Sequence, residues 1–184
     1  MRKTRQGAIG EGNIPVRFTV TPMTEGDARA IQTWRYEGAY ATYNFDDTPG
    51  ALAELLDTRS PYFAVRDERG ELVGFFAYGT AGEVGGEMGE REPALYADPA
   101  NRTLSVGLGL RPDLTGIGLG LPFVEAALAC ARARFAPRGF RLFVLDWNAR
   151  AIRVYERAGF ARVRALTVTN RHGTLTFVEM RRGM

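Results

Sequence analysis

The sequence predicts an α/β fold of the α+β type, a mixed and mostly antiparallel sheet covered by helices. Three stretches carry that reading. Leu104, Val106, Leu108 and Leu110 alternate with Thr103, Ser105, Gly107 and Gly109, the period of two that marks a strand. Leu121, Val124, Leu128, Ala131 and Phe135 then recur at spacings of three and four, a helix with one buried face. Residues 140–147 form a nearly continuous apolar run, as expected of a strand inside a sheet. Strand, helix and strand in that order make a crossover, which joins a parallel pair.

The other elements follow in chain order. Residues 1–14 have no periodicity and read as a flexible arm before a single domain over 15–184. Residues 15–21 alternate as a first strand. Thr24 and Asp27 then open a helix as N-cap and N3 residues, running to about Tyr36 with Ile31 and Trp34 inward. Trp34, Tyr36, Tyr40, Tyr43 and Phe45 form an aromatic cluster, followed by Asp46, Asp47, Pro49 and Gly50. It is either a substrate pocket whose hydroxyls orient a polar molecule or a cap on one end of the core. A short helix over 51–59 stops at Pro61, and residues 62–66 and 71–79 make a hairpin around the turn at 67–70. The acidic, glycine-bearing stretch 80–102 reads as irregular, either a loop over a site or a solvated insertion. After the central helix, which Pro137 and Gly139 break, Asn148 caps a second helix through Ala158. Residues 160–169 and 174–180 close the chain as a long hairpin.

Composition narrows the chemistry. Cys130 is the lone cysteine, excluding an internal disulfide or a cysteine metal cluster, and His172 is the lone histidine. A His-rich metal site or a Ser-His-Asp triad is therefore poorly supplied, and no metal is expected. No apolar run approaches the roughly 20 residues of a membrane span, and no apolar segment follows Arg2, Lys3 and Arg5 as in a secretory signal. The expected setting is cytoplasmic, without a membrane partner. The net charge of +3 is spread along the chain rather than gathered in a block, so no nucleic-acid partner is expected.

Between the central strand and helix lies Arg111-Pro112-Asp113-Leu114-Thr115-Gly116-Ile117-Gly118-Leu119-Gly120. A glycine-rich turn into a helix presents bare N–H groups and a positive dipole end to a phosphate, and a Cβ there would hold the anion away. The Lys-Ser/Thr pair of a nucleotide P-loop is missing, as is the G-x-G-x-x-G spacing of a dinucleotide site. The stretch resembles the acetyl-CoA-binding loop of GNAT acetyltransferases, Gln/Arg-x-x-Gly-x-Gly/Ala. About thirty residues on, Asn148-Ala149-Arg150-Ala151-Ile152-Arg153-Val154-Tyr155-Glu156-Arg157-Ala158-Gly159-Phe160 is similar to that superfamily's second signature at every defining position. The resemblance spans roughly residues 15–182.

It implies a sheet with helices on both faces and a splayed central parallel strand pair. It implies acetyl-CoA as co-substrate, with the pyrophosphate on the N–H groups from Thr115 through Gly116, Ile117, Gly118 and Leu119 to Gly120. The pantetheine arm would lie beside Leu108, Gly109 and Leu110, approached closely at the glycines and contacted by Asn148. Tyr155 would be the general acid that protonates the departing thiolate, and a backbone N–H near Leu110 would stabilise the oxyanion. Transfer would be direct, with no role for Cys130 as nucleophile. Thr115 departs from the family's Gln or Arg, a loss of charge that Arg111 or Arg150 can offset. The acceptor would be a primary amine, of a small molecule or a peptide, with Trp34, Tyr40 and Tyr43 on its side of the site. The alternative is a non-catalytic acyl-CoA-binding or regulatory domain. The base stays open among Glu37, Asp46, Glu83, Glu87, Glu90, Glu92, Asp98 and His172. Edge strands of the last hairpin suit a homodimer.

Overall fold

The computed structural model describes residues 16–45, 49–59, 61–83, 95–170 and 173–184. The expected arm over 1–14 lies outside them. The first strand, β1 (Thr19–Pro22), is followed by α1 (Glu25–Gln32) and a 3-10 helix over Gly38–Tyr43. Then come α2 (Pro49–Leu55), β2 (Tyr62–Arg66), β3 (Leu72–Tyr78), a 3-10 turn over Gly79–Gly82, and β4 (Tyr96–Asp98). The central unit is β5 (Thr103–Leu110), a 3-10 turn over Pro112–Leu114, α3 (Gly120–Phe135) and β6 (Gly139–Leu145). The chain closes with α4 (Ala149–Arg157), β7 (Ala161–Asn170) and β8 (Gly173–Gly183).

The capping box expected at Thr24 forms. Its Oγ1 accepts from Asp27 N at 3.2 Å, and Asp27 Oδ2 accepts from Thr24 N at 3.3 Å. The helix stops at Gln32, short of the expected Tyr36. Side chains beyond that point take the terminal carbonyls: Thr33 Oγ1 donates to Ala30 O, and Arg35 Nη1 donates to Gln32 O. The helix expected over 51–59 is instead α2, and Asp57 closes the turn after it by accepting from Arg59 N at 2.9 Å. The stretch expected to be irregular contains the 3-10 turn at Gly79–Gly82 and the short β4.

The strands lie in the order β1-β2-β3-β5-β6-β8-β7, with β4 on β5. Among the described residues only β5 and β6 run parallel. Helices cover both faces, as expected. Phe76, Leu104 and Val106 pack on one face with Phe123, Val124 and Leu128 of α3 and Ile152 of α4. Tyr62 and Ala77 pack on the other with Ala28 and Ile31 of α1 and Leu55 of α2.

The parallel pair opens as it goes. Thr103, Leu104 and Ser105 pair with Gly139, Phe140 and Arg141, and the pairing ends there. Beyond that point β5 stays on β3 as far as Leu110–Gly74, while β6 stays on β8 as far as Leu145–Phe177. Each strand keeps its outer neighbour and lets go of the inner one. Arg111 N donates to Val73 O at 2.8 Å, which fixes the phase of the β3–β5 ladder. Alternate residues of an antiparallel ladder face opposite ways. Gly107 and Gly109 therefore turn their amides toward β3, while Val106, Leu108 and Leu110 turn theirs into the gap.

Candidate active site

The gap is lined on the α3–α4 side by a channel of about 500 Å³. Its floor is Leu108 and Leu110, and its far end is the loop carrying Thr115, Gly116 and Gly118. Gly116 and Gly118 adopt φ of 82° and 93°, left-handed values that a side chain would strain, so the loop can turn its N–H groups in a way other residues could not. Among the described residues no side chain caps α3, which leaves the Gly120 and Leu121 N–H groups at its first turn for an anion, Pro122 having none and Phe123 N donating to Leu119 O. Arg150, Arg153 and Arg157 of α4 line the same channel. A strand edge with unpaired amides leading to a basic helix terminus fits a peptide-like arm carrying a pyrophosphate.

On the α1–α2 side the gap opens into a slot of about 320 Å³. Its roof is the segment from Tyr36 through the 3-10 helix Gly38–Tyr43, which reaches from β5 to the start of α4. At one end Tyr36 Oη donates to Leu110 O at 2.7 Å. At the other, Asn148 Nδ2 donates to Tyr43 Oη at 3.1 Å, the Tyr40 ring meets Trp147 edge-on at 5.2 Å, and the Arg150 guanidinium lies 4.6 Å above Tyr40. The slot and the channel share Leu108, Leu110, Thr115, Arg150, Ala151 and Tyr155. They meet where the strands part.

Tyr155 stands at that meeting point. Its ring packs edge-on against Phe160 at 6.1 Å, and among the described residues its hydroxyl has no hydrogen-bond partner. Burial raises the phenol well above its ordinary range, with Tyr43 and Tyr36 adding to the effect, so the group keeps its proton at neutral pH. Burial also pushes Tyr36 up to about 12, against the opposing pull of Arg150. The Tyr43 phenol is raised by burial too, partly offset by its bond from Asn148. Among the described residues no group of three His, Cys, Asp or Glu is arranged to hold a metal, and no helix is long and apolar enough to cross a membrane.

The model of the acetyltransferase (GNAT) family matches residues 27–160, which is most of the chain and both halves of this site. The chain belongs to the GNAT family. A GNAT relative, mycothiol acetyltransferase of Propionibacterium freudenreichii subsp. shermanii, is 35% identical over 116 residues. That match takes in 63% of this chain and 32% of the relative, so this GNAT chain spans about a third of the relative's length. A spermidine N-acetyltransferase chimera from Vibrio cholerae and hSSAT superposes with a TM-score of 0.66 at 19% identity, covering 90% of this chain and 95% of that one. The dodecameric spermidine N-acetyltransferase from Vibrio cholerae gives 0.64 at 17% identity, covering 90% and 93%. At such identities the two structures speak for the fold.

Within this GNAT fold several expected site residues have other work. Trp34 stacks on Phe75 at 6.4 Å in the second core and lies apart from the slot, whereas Tyr40 and Tyr43 line it. Arg111 bonds Asp113 at 2.8 Å and Leu72 O at 3.0 Å, on the β3 side, and lines neither cavity; Arg150 is the cation beside the loop. Thr115 Oγ1 donates to Pro112 O at 2.8 Å, closing the turn. Asn148 caps α4 by accepting from Ala151 N at 3.1 Å, and its amide nitrogen donates one of its two hydrogens to Tyr43. Gly109 is needed by the protein's own packing, since a Cβ there would collide with the Phe75 ring. Ile117 is 64% exposed at the rim, and Leu119 sits at the α3 N-cap.

Of the carboxylates expected to compete as base, Glu83 alone lines the slot among the described residues. Glu37 faces an outer vestibule with Arg35 and Asp113, and Asp98 accepts from Asn101 in the turn before β5. Asp46, Glu87, Glu90, Glu92 and His172 lie outside the described residues. Tyr36, which lines the slot, had no individual reading from sequence beyond being one ring of the aromatic cluster. Trp147, which packs against Tyr40 and Tyr43, was only the end of a strand; its place beside the Asn148 signature was the available clue.

Proposed function

We propose that residues 15–184 work as one acetyltransferase domain that passes the acetyl group of acetyl-CoA directly to a primary amine. The observation that carries this reading is the Tyr155 hydroxyl, protonated and without a protein partner among the described residues, where channel and slot meet. In this reading the α3 N-terminus and Arg150, Arg153 and Arg157 hold the pyrophosphate, and the Leu108 and Leu110 amides pair with the pantetheine arm as an added strand would. The amine attacks from the slot side. Leu108 or Leu110 N–H stabilises the oxyanion, and Tyr155 gives its proton to the leaving sulfur.

A slot of about 320 Å³ is at the small end of the range of roughly 300–1,000 Å³ for ligand pockets, which favours a small amine over a folded protein surface. A homodimer through the outer edge of β7, whose one strand neighbour among the described residues is β8, and a cytoplasmic setting belong to the same proposal. The test is thiol release from acetyl-CoA across polyamines, amino sugars, aminoglycosides, amino acids and N-terminal peptides. A product with one class identifies the acceptor. Tight acetyl-CoA binding without product from any class would favour a binding domain instead.

A further inference from the structure

Glu83 follows the 3-10 turn Gly79–Gly82 and lines the slot. Three elements hold it there. The turn rests directly on β5, so closely that a Cβ at Gly82 would come within 2.8 Å of Gly107 N. Ser105 Oγ, on the fully buried Ser105 of β5, donates to Glu83 Oε1 at 3.0 Å. Arg141 of β6 donates from Nη2 to the same oxygen at 2.5 Å and from Nε to Ser105 Oγ at 2.8 Å. Ser105 and Arg141 are register partners in the last rung before the strands part. The carboxylate is thus fastened by one oxygen at the apex of the splay. Among the described residues Oε2 has no partner.

Position along the strand gives the chemistry. The channel includes Leu108 and Leu110 but not Val106, whereas the slot runs on through Val106 to Glu83. Val106 and Leu108 are two residues apart, about 7 Å, which is room for one amino group beyond the end of an arm lying on Leu108 and Leu110. Glu83 stands on the α1–α2 side of the gap and Tyr155 on the α3–α4 side. A proton acceptor and a proton donor therefore flank the place where the strands part.

We propose that Glu83 is the residue that receives the acceptor's ammonium group in the slot and takes its proton. This rests on the acetyl-transfer reading above. One N–H bond of the ammonium breaks, and its proton passes to Glu83 Oε2, directly or through one water, and on to solvent. The freed lone pair forms the C–N bond, the C–S bond breaks, and the sulfur takes the proton of Tyr155. The second proton leaving the nitrogen restores Tyr155, so one proton is released per turnover. Ser105 and Arg141 are positioning residues that keep the carboxylate aimed along the gap. The other titratable or charged groups facing this space are Arg150, Tyr36, Tyr40, Tyr43, Tyr62 and Tyr155.

The test is Glu83→Gln, which keeps an oxygen for Ser105 and removes the basic group. Acetyl-CoA affinity is measured by calorimetry, folding by thermal melting, and kcat against pH with the best acceptor of the panel. The expected result is a fall in kcat of about 100-fold or more near neutral pH. Acetyl-CoA affinity should stay within about twofold of wild type, and the variant's rate should keep rising with pH as free amine accumulates. Ser105→Ala, which leaves the carboxylate in place but loosened, should give a smaller loss with the wild-type pH profile. A Glu83→Gln enzyme within about threefold of wild type, with an unchanged profile, overturns the assignment and leaves acetyl transfer standing. A wild-type protein that binds acetyl-CoA and acetylates nothing in the panel overturns both.

Discussion

Replacing Tyr155 with phenylalanine isolates one hydroxyl. The ring keeps its packing on Phe160, and no protein partner among the described residues is left unsatisfied. Folding should hardly notice, with Tm within about 2 °C of wild type. The rate should notice. Proton donation by a placed acid is worth about 100- to 10,000-fold. A thiol already ionises near pH 8.5, so its thiolate departs partly unaided and the loss belongs at the lower end. We expect kcat to fall about 100-fold, or roughly 2.7 kcal/mol of barrier. The KM for acetyl-CoA should stay within about twofold, since the hydroxyl acts late in the reaction. Because the phenol is raised by burial, wild-type kcat should show no alkaline fall from this group below about pH 10. Thiol release under saturating acceptor measures all three. A variant within about threefold of wild-type kcat at every pH would falsify the assignment of Tyr155 as the acid.

Other perturbations separate packing from chemistry. Gly109→Ala forces a methyl into the Phe75 ring and should cost about 1–3 kcal/mol of stability by thermal melting; pairing it with Phe75→Leu should cost less than the two changes summed, and strict additivity would sink this account. Arg150→Ala should weaken acetyl-CoA binding about tenfold and flatten its salt dependence in calorimetry; unchanged affinity would shift the pyrophosphate to Arg153 and Arg157. Tyr36, Tyr43, Tyr62 and Tyr155 all have phenols raised by burial, so the fold favours their neutral forms. Their contribution is intact below about pH 10 and is lost as pH rises past it, toward about 12 for Tyr36. The urea midpoint should therefore be level up to about pH 10 and fall beyond it; a midpoint level to pH 12 contradicts the burial.

Much of this was legible in the chain. The alternation over 103–110 marked β5, the three-and-four spacing marked α3, and Thr24 with Asp27 marked the start of α1. These are local signals, because a strand or helix writes its own periodicity into neighbouring residues. Element ends were less legible. α1 stops at Gln32 because Thr33 and Arg35 fold back onto its carbonyls, and propensity alone gives no sign of that. The protein's own contacts at Arg111 and Gly109 were illegible for a related reason. Both sit in the right motif, but each answers to a neighbour on β3: Leu72 O for one and Phe75 for the other.

By itself, then, the sequence determined the order of the elements apart from β4, the glycine turn into α3 and the Asn148–Phe160 signature, since each is set by residues a few positions apart. The family resemblance implied the splay, and the tertiary structure set where it begins: β5 and β6 pair from Thr103–Gly139 to Ser105–Arg141, and beyond that each is held by a different outer neighbour. Tertiary structure alone placed Arg150 rather than Arg111 along the channel, brought Tyr36 and Tyr43 over the gap, and fastened Glu83 to Ser105 and Arg141 at its apex. Those contacts join residues 22 to 105 positions apart. Proximity at that range comes from packing, which no local pattern records.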